Sequence, residues 1–478
     1  MSKTVQNIIF NVTYQIFNII IPLITAPYIA RVMGASVVGV YSYSSTMASY
    51  FSVFMLLGVA NYGSRTIAIS QKDRTKKFWE IYFFQFFMSV VGNLIFMFLA
   101  LRDGEYKSAL VAQVFYLLSV LMDVSWYFAG TGQFKTTLIR GLSIKVLQTI
   151  LIFCFVKNGN DIILYILIMS IGNLVGSFVL WPILIKQIGY SKVHIGGVVS
   201  HIKPNLILFL PLLASSIFVY MDKIMLTFIT DDISHLGWYE YAEKIVRIPL
   251  TIISAIGAVM MPKIASISNG NHASRIHTYM NISMRYISIL ATAMCFGLVG
   301  IASDLVPIYL GGDFLPSVRL VQIMSTIIIF SSFANIIRTQ YLIPLKKEKG
   351  YVISIFAGAF VNIVLNMIFI PVCGAMGAAL GTVGAEITVF VGHIFAVNKH
   401  IRIWGYLKEW GYSILNGIVM FVVIQGIGLW FDNDLLRLIL KFILGTIVYA
   451  ITTLVLLILR KDNYIVGIVN KNSIRDIK

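Results

Sequence analysis

Fourteen mostly apolar stretches, each about 17 to 26 residues long, run along the chain near 6–30, 37–62, 79–101, 107–129, 141–157, 162–185, 205–229, 237–260, 281–301, 316–340, 351–370, 377–397, 411–430 and 435–459. A helix rises about 1.5 Å per residue and a bilayer's hydrocarbon core is about 30 Å thick, so about 20 such residues cross it. The pattern therefore predicts an all-α polytopic membrane protein with about fourteen transmembrane helices. No connection is long enough to hold an extramembrane catalytic domain.

Polar positions interrupt this pattern in a periodic way. The hairpin from Asn205 to Met260 carries Asp222 and Lys223 in its first arm. Its second arm places Glu240, Glu243, Lys244, Arg247, Thr251 and Ser254 at steps of three and four, on one helical face. An ionised group at hydrocarbon depth costs roughly 2.5 to 3.5 kcal/mol on insertion scales, so this face is expected to meet a partner or a water-filled cavity. Asp222 and Glu243 each lie about 7 to 8 Å outward of the middle of their arms at the helical rise, which predicts that both carboxylates share a level with Lys223 and Lys244. Two readings stand: a site for a charged substrate or ion, or buried ion pairs that fix helix packing.

The first stretch repeats the habit with Asn7, Asn11, Tyr14, Gln15, Asn18, Pro22 and Thr25 on one face, which predicts a cavity lining or a helix contact. Pro22 and Pro27 are expected to bend it near its outer end. Arg31 follows at the outer rim, where it can snorkel to headgroups or reach back into a cavity. Two carboxyls stand apart from sequence-adjacent cations. Asp123 lies toward the end of the fourth stretch and Glu386 near the middle of the twelfth; each is a candidate proton or cation site, or else bonds neighbouring backbone or caps a break. Asn362 and Asn366 are one turn apart in the eleventh, and Gly374, Gly377, Gly381 and Gly384 read as a face for close helix packing.

The segment VGVYSYSSTM, Val38 to Met47, aligns without gaps with LGWYEYAEKI, Leu236 to Ile245, matching Gly39 with Gly237, Tyr41 with Tyr239 and Tyr43 with Tyr241. Each copy opens the second stretch of a half. Six stretches separate the equivalents, so the halves would insert in the same orientation, with a substrate site between them. The expected divisions are an N-terminal lobe (1–203), a C-terminal lobe (204–400), and a final pair of helices with a cytoplasmic tail (401–478).

Composition agrees: 58% of residues are hydrophobic and 12% charged, outside the range of soluble domains. A net charge of +17 invites a nucleic-acid reading, but about 27 of the 37 Lys and Arg fall on one alternating set of connections and the tail. That asymmetry puts both termini in the cytoplasm and excludes nucleic acid as a partner. Acids, Asp304, Asp432 and Asp434 among them, fall on the opposite connections. Cys154, Cys295 and Cys373 sit in apolar surroundings and read as buried thiols. Walker, nucleophile-elbow and HExxH motifs are missing and the histidines lack ligand spacing, so no enzyme chemistry, metal or cofactor is expected.

Several of these segments together resemble the oligosaccharide-lipid flippases of bacterial capsule, O-antigen and teichoic acid assembly, in the multidrug/oligosaccharidyl-lipid/polysaccharide (MOP) exporter superfamily. They are PYIARVMGASVVGVYSYSSTMASYF, DVSWYFAGTGQFK, YMDKIMLTFI, LGWYEYAEKIVRIPLTIISAIGAVMMPKIA and GAMGAALGTVGAEI. The resemblance implies two six-helix lobes plus two C-terminal helices in the plasma membrane. It also implies alternating access that carries an undecaprenyl-pyrophosphate-linked oligosaccharide from the inner to the outer leaflet, driven by a proton or sodium ion or by the membrane potential. Implied partners are the lipid-linked oligosaccharide, membrane lipids, and polysaccharide polymerase and assembly proteins. The candidate substrate residues are then Asn18, Arg31, Asp222, Lys223, Glu243, Lys244 and Arg247, with Asp123 and Glu386 for ion coupling. A departure from many relatives is Ala129-Gly130-Thr131 in place of a Gln-Gly pair. The alternatives are a drug/cation antiporter of the same superfamily, whose cavity would be more acidic, and an integral-membrane glycan polymerase or ligase, which would carry a sizeable outer loop.

Overall fold

The computed structural model describes residues 3–70, 72–268, 273–345, 347–397 and 404–459, except the side chains of 3–16, 18, 19, 258, 259, 262, 263, 265–268, 273–278, 348 and 404–409. Among the described residues the chain is helical and has no strand. That follows from the solvent: lipid offers no hydrogen bonds, and a helix satisfies its own backbone. Two compact units divide the chain, Met1–Glu240 with Asn366–Ala375, and Tyr241–Leu365 with Met376–Lys478.

The first unit contains α1 (Lys3–Leu56), α2 (Val59–Ile69), α3 (Arg74–Arg102), α4 (Lys107–Leu121), α5 (Ser125–Gly130), α6 (Phe134–Phe155), α7 (Ile162–Ile185), α8 (Ile195–Ser200), α9 (Ile202–Ile229) and the start of α10 (Ser234–Ser268). α4 packs along α7, and α1 touches α3, α4, α6 and α9. Phe78, Tyr82, Trp126, Tyr127 and Leu180 belong to a core that joins α2, α3, α5 and α7. Between α9 and α10 the Asp232 carboxylate accepts the Ser234 N–H at 2.8 Å, which holds it below the usual carboxylate range and fixes the turn.

The second unit holds the rest of α10, α11 (Ala273–Leu310), α12 (Ser317–Met324), α13 (Thr326–Ile337), most of α14 (Glu348–Cys373) and α15 (Ala375–Val397), α16 (Trp404–Gly428) and α17 (Asp434–Leu459). Met420, Ile424 and Tyr449 form its core with Ile289 and Phe296. A Cβ on Gly384 would lie 2.4 Å from Leu365 Cδ1, so α14 and α15 approach there because glycine has no side chain.

Twelve segments of the described residues are long and apolar enough to cross a membrane. The first, Ile20–Ile69, takes in the end of the first predicted stretch and all of the second, and eleven others match one predicted stretch each. The remaining stretch, 237–260, lies within α10.

The structure moves several predicted boundaries. The helical path of α1 breaks at Gly34 (φ 75°), whereas Pro22 and Pro27 lie inside the helix. The second stretch is cut again at Leu57 and Gly58, both with positive φ. The fourth ends at Leu121, and Asp123 stands in a break before α5. Here the backbone groups that the helix releases find side chains. Gln85 of α3 donates its Nε2 to the carbonyls of Val120 and Asp123 at 2.8 and 2.9 Å, and Trp181 of α7 donates its indole N–H to the carbonyl of Met122 at 2.9 Å. Asp304 was expected in a connection, but α11 continues to Leu310 and buries it. Cys154 and Cys373 are exposed and only Cys295 is buried. An apolar neighbourhood in sequence suits a lipid-facing thiol as well as a core one.

Candidate functional site

In the first unit, α9 and the start of α10 lie close enough for their charges to pair. Lys223 Nζ is 2.6 Å from Glu240 Oε2, with both side chains nearly buried. The same oxygen accepts a hydrogen bond from Ser42 Oγ of α1 at 2.8 Å. Asp222 is buried, and neutral donors meet it: Tyr239 Oη at 2.7 Å and Asn366 Nδ2 at 2.5 Å. Adjacent residues of α9 thus point their charges into different surroundings, one toward a carboxylate and one toward a phenol and an amide. Burying an unpaired ion costs several kcal/mol, roughly, and these contacts are what make such positions tenable.

The second unit receives the continuation of α10. Glu243 accepts from Arg247 Nε at 2.8 Å and from its Nη2 at 2.5 Å, a one-turn pair within the helix. The Arg247 side chain is 51% exposed and that of Glu243 11% exposed. Lys244 places its ammonium 4.8 Å from the centre of the Tyr241 ring. Glu386 of α15 hydrogen-bonds Ser331 of α13 and feels the positive fields of Arg247 and Arg338. Arg338 donates to Asn335 Oδ1 at 2.8 Å.

The same unit holds an apolar cavity of about 420 Å³. Its wall includes Pro249 of α10, two residues beyond Arg247, with Gly297, Leu298, Met420, Phe442 and Tyr449 of α11, α16 and α17. Lys441 also lines it, but its Nζ is bound to Asp304 Oδ2 at 2.6 Å, and Arg437 Nε meets Asp304 Oδ1 at 2.7 Å.

The remaining predicted residues fall in varied places. Arg31 is an exposed residue of α1, three residues before the Gly34 break. Asp123 accepts the Ser125 N–H and hydroxyl, each at 3.0 Å, as a cap of α5. Asn7, Asn11, Tyr14, Gln15 and Asn18 have side chains outside the described residues. Among the described residues no group of His, Cys, Asp or Glu could hold a metal ion.

Sequence reasoning singled out Asn366 and Glu240 but did not connect them with Asp222 and Lys223. It missed Ser42, although the aligned repeat sets Ser42 opposite Glu240. It also missed the Asp304 cluster, whose signal was the one-turn spacing of Arg437 and Lys441.

A model of the family described as polysaccharide biosynthesis protein matches residues 4–268. A protein of Shigella dysenteriae designated an O-antigen transporter is 23% identical over 392 residues, which cover 80% of this chain and 96% of that relative. The solved structure of the lipid II flippase MurJ in an inward closed conformation matches with a TM-score of 0.76 at 18% identity, covering 94% of this chain and 99% of that one. An outward-facing multidrug resistance transporter of the MATE family, in the MOP superfamily, matches at 0.52 and 12% identity over 83% of this chain and 93% of its own. These two likenesses are of fold, and the family match spans more than half the sequence. The chain belongs to the polysaccharide biosynthesis protein family.

Proposed function

We propose that this protein flips undecaprenyl-pyrophosphate-linked oligosaccharide repeat units from the inner to the outer leaflet of the plasma membrane by alternating access. The observation that carries the reading is the sequence of surfaces along α10 in the second unit. Arg247 is half exposed and paired with Glu243, and two residues further along the helix Pro249 enters the wall of a cavity lined almost wholly by apolar side chains. A ligand suited to both is an amphiphile with an anionic head and a long hydrocarbon chain. Guanidinium groups match phosphate oxygens with paired donors, and hydrocarbon chains favour a dry apolar groove. The O-antigen transporter designation of a relative covered over 96% of its length supports the same class of cargo.

In this reading Arg31, Lys223, Lys244 and Arg247 meet the pyrophosphate. Asp222, Glu243 and Asn18 complete the polar lining. Asp123 and Glu386 take up and release a coupling proton or sodium ion. The transport step needs no bond chemistry from the protein. Cells that lack the chain should accumulate a lipid-linked oligosaccharide on the inner leaflet, and its mass spectrum would identify the repeat unit. Normal surface polysaccharide with no accumulated intermediate would overturn the proposal.

A further inference from the structure

Away from the charged face of α10, the first unit holds a second buried polar cluster where α8 gives way to α9. His201 is the single residue between these helices. Its Nε2 lies 3.2 Å from Glu80 Oε2 of α3, and its Nδ1 lies 2.7 Å from the hydroxyl of Tyr62 of α2. Lys77, one turn before Glu80, reaches the same Oε2 at 3.1 Å. The side chains of His201 and Glu80 are 3% and 2% exposed, that of Lys77 32%. The α8 backbone rests on the carboxylate itself: a Cβ on Gly197 would fall 2.1 Å from Glu80 Oε1. The carbonyl of His201 accepts the Asn205 amide at 2.7 Å, which ties the residue to α9.

The ring's partners assign its neutral form. Tyr62 donates to Nδ1, and the Nε2–H donates to the Glu80 carboxylate. A proton arriving from water can add at Nδ1 without moving a heavy atom, because the Tyr62 hydroxyl hydrogen turns away and its oxygen accepts instead. The cluster then holds an imidazolium against a carboxylate. We propose that His201 is a proton-binding site that clasps α8 to α2 and α3, so that the connection between the two halves of the sequence tightens as pH falls.

The charged and titratable groups that face His201 are few. They are Tyr62 on α2 and Lys77 and Glu80 on α3, while His194 ahead of α8 and Lys203 on α9 are exposed. Lys77 opposes the added charge. Burial of the ring opposes the charge as well, and the Glu80 carboxylate 3.2 Å away is the group that favours it.

The test uses the full chain in nanodiscs. Ring-carbon NMR with labelled histidine should show one resonance, lost in His201→Gln, that titrates as the pH is lowered. Glu80→Gln should move that midpoint to lower pH. A spin label at Val199→Cys, with the three natural cysteines replaced by serine, should lose about half of its mobile fraction over the same titration. His201→Gln should abolish that response, and Gly197→Ala, which lifts α8 from Glu80, should raise mobility at every pH. A His201 resonance that does not titrate overturns the proposal. So does a label response that survives His201→Gln.

Discussion

Ser42 and Glu240, 198 residues apart in the chain, are hydrogen-bonded to each other and occupy the same position of the internal repeat. The same offset relates the backbone around them. A Cβ on Gly39 would lie 2.2 Å from the carbonyl oxygen of Ile233, and one on Gly237 would lie 2.0 Å from that of Ala35. Residues 35 and 233 again differ by that offset. Two helices that contact each other through equivalent residues in reciprocal fashion are related by a local two-fold axis, and a residue near such an axis meets its own counterpart. A ten-residue alignment with three identities thereby acquires a geometric meaning.

This crossing makes an immediate demand on its glycines. The obstacle at each is a backbone oxygen, which cannot rotate away as a side chain can. Gly39→Ala and Gly237→Ala should each destabilise the protein by about 1 to 3 kcal/mol, the usual range for overpacking. Detergent-solubilised thermal unfolding should report a lower midpoint for both, whereas Gly297→Ala should melt like the parent, because the nearest atom to its Cβ is Met420 Cε at 3.8 Å. Equal midpoints for all three variants would remove the crossing as a constraint.

The Lys223–Glu240 pair separates binding from architecture. Removing either charge leaves the other buried, at a cost of about 3 to 5 kcal/mol, while replacing both with apolar groups can be neutral. Lys223→Met and Glu240→Leu should each lower abundance, and the double variant should recover it. Transport should stay lost in the double variant, because the ammonium proposed to meet the pyrophosphate is gone. A double variant that transports would reduce the pair to helix packing.

Arg247 differs because it is half exposed. Its one-turn pair with Glu243 is worth at most about 1 kcal/mol, so Arg247→Gln should leave abundance and melting unchanged. Export of the polysaccharide should nonetheless fall at least about tenfold, the equivalent of roughly 1.4 kcal/mol of lost interaction. Full complementation would contradict the assigned phosphate contact.

Coupling can be separated from capping at Asp123. A cap needs an acceptor oxygen, which asparagine supplies, whereas proton binding needs the carboxyl. Asp123→Asn should keep parental abundance, and Asp123→Ala should lose about 1 kcal/mol of stability. In liposomes with an imposed proton or sodium gradient, Asp123→Asn and Glu386→Gln should both transport without regard to the gradient. A parental gradient response would leave the altered residue as a structural element.

The apolar cavity has its own probe in Gly297, which lines it and has room for a side chain. Gly297→Phe should fill the space without distorting α11. Flipping of a long-chain substrate should drop while a short-chain analogue is transported as before. Equal effects on both would dissociate the cavity from the hydrocarbon chain.

Sequence alone reveals where most of the spans lie because bilayer thickness fixes their length, although the described residues hold twelve candidate spans where fourteen stretches were expected. Of the polar face of α10, Glu240 and Glu243 are buried, whereas Arg247 and Ser254 are exposed. What the sequence hides has one common cause: lipid and protein core are equally apolar, so composition cannot tell the two sides of a helix apart. Cys154 and Cys373 were misplaced for that reason. Asp304 was assigned to a connection because hydropathy falls at charged residues, although Arg437 and Lys441 allow the helix to continue through it. Ser42 escaped notice because a lone serine is common, and only its distant counterpart gives it significance.

The break at Asp123 bears on how the chain is made. Helices that satisfy their own backbone can enter the bilayer one at a time, but the Met122 and Asp123 carbonyls accept from Trp181 and Gln85. A released carbonyl in hydrocarbon without a partner costs several kcal/mol. The α4–α5 segment should therefore be held beside the translocon until α3 can cover it and α7 has been synthesised. Gln85→Leu should then increase mistargeting and degradation of newly made chains more than it weakens the finished protein, a difference that pulse-chase labelling against thermal unfolding would resolve.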